Sequence, residues 1–414
     1  TILGFPDIDN VNPTAEEVPW GITKINAPTV HSLGNKGTGI KVCIIDTGID
    51  YNHPDLSSNY KGGYNFFDNN NDPMDKMGHG THVAGTIAAI GNNNIGVIGV
   101  APEAYLYSCR VLSECGGVEL DDGIIAAIQW AIDNGMQVIN MSIGGPYYSQ
   151  AFNDICYAAE NAGIVIIASA GNSGPGRDTC GYPARYNATI GIAATKSDDT
   201  IASFSSEGPA VEVSAPGVSV RSTVPTNTCS CSDASRRFCD PSGYMPLNGT
   251  SMAAPHVSGT VALIMKAHPD WTNKQIRGAL TQGVVHLGDA GRNHKFGFGR
   301  IDAKMCVDIT NPPNPPANMT GKACVGVWPD PSECVTLDAK VDQCNVYCDC
   351  PSNNSKWCCV DKPPFGKKCH LKVYPPKPGC PGADSCFDGL TACMDYCEGN
   401  VTQCPNPTVQ FGGS

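Results

Sequence analysis

Short apolar runs rich in valine and isoleucine recur along the first three hundred residues, at 40–46, 137–142 and 164–169. Between them, residues 121–132 and 152–162 space their apolar positions as one face of a helix requires. The runs do not alternate apolar with polar, which marks strands buried on both faces. Buried strands alternating with helices predict crossover units and an α/β fold, a mostly parallel sheet sandwiched by helices. Functional groups in such sheets gather at the carboxyl ends of the strands. The runs end there in Asp46, in Ser142-Ile143-Gly144 and in Ala170-Gly171-Asn172.

This texture stops near residue 305, and four prolines within residues 311–318 read as a stiff extended linker. Three parts follow: a large domain at 1–305, a Pro-rich linker at 306–320 and a cysteine-rich domain at 321–414. Nine of the 22 cysteines occur up to Cys306, and thirteen lie between Cys324 and Cys404, where aliphatic runs are few. A segment that short in apolar residues needs staples, so a small disulfide-rich domain is expected. Cys348 and Cys350, then Cys358 and Cys359, are not spaced as zinc knuckles, which favours disulfides over zinc.

A net charge of -12 speaks against a nucleic-acid partner. No apolar stretch reaches the length of a membrane span. The cysteine usage and the sequons at Asn187, Asn318, Asn353 and Asn400 fit a secreted, extracellular glycoprotein. Thr1 opens the sequence without a signal-type segment, so the chain reads as processed.

Three segments carry candidate chemistry: residues 42–48 with Asp46 at the end of a strand, 78–86 with His79 opening a helix, and 248–256 with Ser251 opening another. Serine is a poor nucleophile until an imidazole takes its proton, and the imidazole needs a carboxylate to fix its tautomer. Asn172 and the backbone N–H of Ser251 offer donors for an oxyanion. Taken singly, each residue reads as a turn, cap or core residue; it is the set that points to acyl transfer. His82 and His256 read as packed structural histidines, and H-E-x-x-H is absent. Pro255 reads as a local kink, and Asn248, though in a sequon, is expected to be too enclosed for a glycan.

These segments resemble those of the subtilisin-like serine peptidases, in the family's order Asp, His, Ser. The likeness runs from about Glu16 to Ala303, through His53-Pro54-Asp55-Leu56, Asn140-Met141-Ser142-Ile143-Gly144-Gly145 and Ala215-Pro216-Gly217, and does not cover residues after about 320. It implies a serine endopeptidase in which Asp46 orients His79, His79 is base and then acid, Ser251 attacks, and Asn172 serves the oxyanion hole. It implies protein and peptide substrates bound as an added strand at residues 115–118 and 142–144. Ser142, Ile143, Gly144, Ala170 and Gly171 would line the cleft and the S1 pocket, with Gly181 near its floor. Small walls imply a roomy pocket for bulky or apolar P1 residues.

The alternative is basic specificity of the kexin-like kind. Thr47 and Cys180 stand where that branch carries acids, but Asp178 keeps the alternative open. The resemblance also implies structural calcium on Glu16, Asp55 and Asn93 with carbonyls of Gly91, Ile95 and Val97. A weaker second site near Ala184, Tyr186 and Glu212 is poorly supported, because Ala210 offers no side-chain oxygen. A monomer, made as a zymogen with its own inhibitory propeptide, is implied likewise. A non-catalytic binding protein on the same fold is a third reading, disfavoured by the intact Asp46, His79, Asn172 and Ser251. Residues 229–240 add three cysteines and Arg236-Arg237 and read as a stapled surface loop bordering the cleft. Cys43 reads as a free core thiol, which by parity would leave another cysteine unpaired.

Overall fold

The computed structural model describes residues 16–117, 121–313 and three strands within 339–373. The chain divides into two compact units, Thr1–Pro316 and Ala317–Ser414. In the first unit, α1 (Trp20–Lys24) and α2 (Ala27–Ser32) lead into β1 (Lys41–Asp46), β2 (Tyr60–Asn65), α3 (His79–Ala88) and β3 (Tyr105–Arg110). Then come α4 (Asp121–Asp133), β4 (Val138–Met141), α5 (Gln150–Asn161), β5 (Val165–Ser169), β6 (Thr189–Thr195) and β7 (Val211–Pro216). A two-stranded ribbon, β8 (Val220–Thr223) with β9 (Tyr244–Leu247), precedes α6 (Thr250–Ala267), α7 (Asn273–Gln282), β10 (Val284–Val285), β11 (Arg300–Ile301) and α8 (Ala303–Val307).

Nine strands form one sheet in the order β10-β11-β7-β6-β5-β4-β1-β3-β2, parallel except where β10 meets β11. The expected α/β sandwich is thus borne out. Successive side chains of a strand point to opposite faces, and the core divides accordingly. Val42 and Ile44 of β1 join Val165 and Ile167 of β5 against α3, α6 and α7. Cys43 and Ile45, with Ile139 and Ile166, pack against Ile124, Ile128, Phe152 and Cys156 of α4 and α5. The central strands β1, β4 and β5 serve two cores, which is why their sequences lack alternation.

The sheet reverses its direction of growth at β1, which lies between β3 and β4. The carboxyl ends beside that switch point carry Asp46 and Ser142. Helix α6 is buried from Thr250 to Met265 and continues through Pro255. Cys306 is buried within α8, so the first residues assigned to the linker belong to the packed unit.

In the second unit, β12 (Ala339–Lys340), β13 (Ser355–Lys362) and β14 (Gly366–Val373) form an antiparallel sheet in the order β12-β14-β13. The remaining cysteine-rich residues, the sequons at Asn318, Asn353 and Asn400, and Val118 of the expected substrate edge lie outside the described residues.

Candidate active site

Asp46 is the last residue of β1 and His79 the first of α3. Asp46 Oδ1 stands 2.7 Å from His79 Nδ1 and also accepts from Thr47 N at 2.7 Å. The carboxylate thereby fixes the ring with a proton on Nδ1. His79 Nε2 is buried and has no hydrogen-bond partner among the described residues. Burial opposes the imidazolium, but the charge and hydrogen bond of Asp46 outweigh it and hold the His79 pKa above its ordinary value.

Gly78, at φ +106°, caps α3, and the buried carboxylate of Asp75 takes up the donors around it. Asp75 Oδ1 accepts from Met77 N and Gly78 N at 2.9 and 2.8 Å, and Oδ2 from Thr81 N at 2.9 Å. A carboxylate suits the positive end of a helix. Its charge also favours the His79 imidazolium. The sequence reading missed Asp75; an acid four residues before the histidine, at a helix entry, was the available signal.

Ser251 lies in the first turn of α6, and its hydroxyl donates to the Ser142 carbonyl at 3.0 Å. Ser142 Oγ in turn donates to the Ser251 carbonyl at 2.8 Å. Asn140 Nδ2 donates to Ser142 Oγ at 3.0 Å, and Ser258 Oγ to Asn140 Oδ1 at 2.8 Å, so the start of α6 is fastened to the end of β4.

Asn172 Oδ1 accepts from both N and Oγ1 of Thr250, each at 2.9 Å. This settles which way the amide points, with Nδ2 on the far side. Gly249 has φ +155°, and a Cβ there would stand 3.5 Å from both Asn172 Nδ2 and Ser251 N. Asn172 Nδ2 and Ser251 N thus lie on the same side of Gly249, together with Met252 Sδ. Thr250, which orients the amide, was not singled out by the sequence reading.

The small residues expected around S1 converge. Gly145 and Tyr182 exchange backbone hydrogen bonds at 2.9 and 2.8 Å, and Gly181 N donates to Ala170 O at 2.9 Å. Gly171 N donates to Thr250 Oγ1 at 3.1 Å. Ser142, Ile143 and Ala170 are buried, while Gly144 is exposed. Asp178 Oδ2 pairs with Arg185 at 2.8 Å, and a Cβ on Gly208 would stand 2.4 Å from Oδ1.

Glu16, Asp55 and Asn93 also meet. Glu16 accepts from Asn92 N and Asn93 N at 3.0 Å each, and Asn93 Nδ2 donates to Asp55 Oδ1. Asp55 Oδ2 accepts from Val97 N at 3.0 Å and from Tyr244 Oη at 2.9 Å. The carboxylates of Glu16 and Asp55 are oxygen donors of the kind a hard cation takes, while Asn93 turns Nδ2 to Asp55 and its Oδ1 accepts from Ile95 N at 3.0 Å. Among the described residues no group of three or more His, Cys, Asp or Glu could hold a metal, so a cation here would lean on amide and carbonyl oxygens.

The second cation site is not supported at Glu212. Its carboxylate is buried and bound by Arg277 through Nε and Nη2 at 2.8 and 2.7 Å. Arg277 spends its remaining donors on the carbonyls of Asn187 and Thr189. A buried carboxylate held by a bidentate guanidinium is already neutralised.

His82 and His256 are buried. Desolvation pushes His82 down to about 3 and His256 to about 4. Each uses one ring nitrogen on backbone carbonyls, His82 on Val220 O and His256 on Met252 O. Asn187 is half-buried with its Oδ1 enclosed, and Asn248 Oδ1 accepts from Ser219 N at 2.7 Å. Disulfides join Cys115 to Cys231 and Cys229 to Cys239. Cys43 is a buried free thiol, its Sγ 3.3 Å from that of Cys109; Cys156 and Cys306 are also free.

A buried histidine–carboxylate pair at a strand end, with a serine opening a helix and amide donors at hand, is the equipment of a serine hydrolase. Residues 37–299 match the Subtilase family, Peptidase_S8. The chain is 47% identical to Subtilisin E of Bacillus subtilis (strain 168) over 293 residues, 70% of this chain and 71% of the relative. It is equally identical to Subtilisin of Bacillus pumilus, over 70% of this chain and 98% of the relative. Identity to Subtilisin Savinase of Lederbergia lenta is 42% over 290 residues, 70% of this chain and 98% of that protein. The chain belongs to the subtilase family and is a subtilisin-like serine endopeptidase.

Proposed function

We propose that this endopeptidase works through an acyl-enzyme on Ser251, with His79 as base and acid and Asp46 as the group that orients it. The observation that carries the reading is the buried 2.7 Å contact between Asp46 Oδ1 and His79 Nδ1, beside an Nε2 with no partner among the described residues. As Ser251 Oγ attacks the scissile carbonyl carbon, its proton passes to His79 Nε2, and the imidazolium is stabilised by Asp46. Ser251 Oγ must leave the Ser142 carbonyl to do so. The oxyanion lies in the space over Gly249 and accepts from Asn172 Nδ2 and Ser251 N. Collapse breaks the C–N bond, and the departing amine takes the proton from His79. Water then repeats the sequence, with His79 again as base, and releases the acid.

Substrate peptide adds as a strand at residues 115–118 and 142–144. The glycine and alanine walls at 144, 170, 171 and 181 favour bulky or apolar P1 residues. The pairing of Asp178 with Arg185 weighs against a basic P1 preference, because that carboxylate already has its counter-cation. Calcium would be held by Glu16, Asp55 and Asn93 with carbonyls of Gly91, Ile95 and Val97; its charge would offset the two carboxylates and stiffen the 91–97 loop. Disulfides on the insertion support an oxidising, secretory setting. Mass spectrometry of a randomised peptide library cut by the intact chain and by Ser251→Ala tests the proposal. Cuts that persist in the variant would sink the serine mechanism, and a predominance of Lys or Arg at P1 would sink the pocket reading.

A further inference from the structure

The loop between β8 and β9 touches two separate parts of the site. On one side it lies along the entry to α3. Ser230 N donates to the Lys76 carbonyl at 2.9 Å and Phe238 N to the Met77 carbonyl at 2.8 Å. A Cβ on Gly78 would stand 1.9 Å from the Phe238 carbonyl, so the loop backbone rests directly on the residue before His79. On its other side the loop is tied to the turn at residues 113–117. Cys231 is disulfide-bonded to Cys115, and Arg236 Nη1 donates to the Cys115 carbonyl at 3.2 Å. The Cys229–Cys239 disulfide closes the loop on itself.

Within the turn, Ser113 N donates to Gly117 O and Gly116 N to Ser113 O, each at 3.0 Å. Ser113 Oγ accepts from Cys115 N and Gly117 N at 3.4 and 3.0 Å, and two of the five residues are glycine. Such a segment has much freedom to lose when a peptide pairs with it. The loop removes part of that freedom before substrate arrives. It also references the turn to residues 76–78, and so to His79.

We propose that the β8–β9 loop is a strap that positions residues 113–117 as an edge of the peptide-binding cleft, with Cys231 and Arg236 as its positioning residues. The proposal rests on the reading of that segment as a substrate edge. A peptide long enough to pair with the turn feels the strap; a substrate confined to the scissile bond does not. Ordering even one residue's backbone at binding shifts an equilibrium constant by roughly tenfold.

The test compares the intact chain, Cys231→Ala and Arg236→Ala on two substrates: a peptide extending four residues upstream of the scissile bond, and a single-residue ester. The strap predicts that Cys231→Ala raises KM for the long peptide about tenfold, and Arg236→Ala about two- to threefold, with kcat and ester hydrolysis unchanged. An equal loss on both substrates makes the loop a mere fold support and overturns the proposal. So does an unchanged KM in both variants. If Cys231→Ala does not fold, Arg236→Ala decides, since its side chain is 59% exposed. Intact enzyme that gains nothing from upstream residues removes the substrate-edge reading itself, a result distinct from failure of the strap alone.

Discussion

The hydroxyl of Ser142 donates to the backbone carbonyl of Ser251 at 2.8 Å, and the Ser251 hydroxyl returns a bond to the Ser142 carbonyl at 3.0 Å. The first of these bonds fills a vacancy made four residues further on. In a helix the Ser251 carbonyl would accept from the N–H of residue 255, but that residue is proline and has none. A helix can therefore run through Pro255 because the end of β4 supplies the missing donor. The same contact fixes the backbone of Ser251, the proposed nucleophile, to the end of β4 beside the proposed substrate edge at 142–144.

Ser142→Ala should therefore lower kcat about tenfold, since a buried carbonyl is left unsatisfied at the nucleophile. Pro255→Ala restores a backbone donor to that carbonyl. The damage of Ser142→Ala should then shrink severalfold in the Pro255→Ala background. A double-mutant cycle on kcat measures the coupling, and strictly additive effects would contradict the account.

The raised pKa of His79 sets the acid limb of activity. The ring must be neutral to accept the Ser251 proton, so kcat/KM should rise with pH through a midpoint above 6.5. Asp46→Asn removes the charge that raises it, and should move the midpoint down and cost about 10⁴ in kcat. A midpoint unmoved by that substitution would show that Asp46 does not govern the ring.

His82 and His256 act on stability in the opposite sense. Their folded pKa values, about 3 and about 4, lie below the unfolded value near 6.5. The unfolded chain binds protons that the folded chain refuses, so their contribution is complete above pH 6.5 and declines as pH falls towards 4. Each ring should steepen the loss by about 1.4 kcal/mol per pH unit across that window. Denaturant melts of the Ser251→Ala chain between pH 4 and 7, which avoid self-digestion, measure the slope; a flat profile would refute the assignment.

Thr250→Val keeps the shape of the side chain but removes the hydroxyl that orients Asn172. We expect kcat to fall about tenfold with KM unchanged. Asn172→Ala should cost about 10²–10³, a magnitude known from subtilisin itself rather than obtained from this chain. A change confined to KM would assign both residues to ground-state binding instead.

Calcium removal tests the 91–97 loop. If Glu16, Asp55 and Asn93 hold the ion, chelation should lower stability by about 2.7 kcal/mol relative to calcium at one hundred times its Kd. Asp55→Asn should abolish the difference. Identical thermal transitions with and without chelator would remove calcium from this site.

Much of the framework was legible in the chain. Strands such as β1 and β5 declare themselves because burial on both faces demands unbroken apolar runs, and Asp46 and Ser142 follow from where those runs stop. His79 and Ser251 were legible only as a set with Asp46, in segments that resemble those of the subtilisin-like peptidases. The partner of Glu212 was not legible because no local pattern announces it: Arg277 lies 65 residues away in sequence. Asp75 and Thr250 were passed over for a related reason. An acid in a loop and a threonine before a serine are ordinary locally, and only the helix termini that meet them give them work.

The sequence by itself determined the α/β class and offered the candidate residues for acyl transfer, because periodicity and side-chain chemistry are local properties. Only the tertiary structure decided which donor satisfies the Ser251 carbonyl, which cation holds Glu212, and that the Cys229–Cys239 loop joins residues 76–78 to Cys115. Those are pairings between distant segments, and a pairing is selected by the three-dimensional register that brings two unsatisfied groups within about 3 Å.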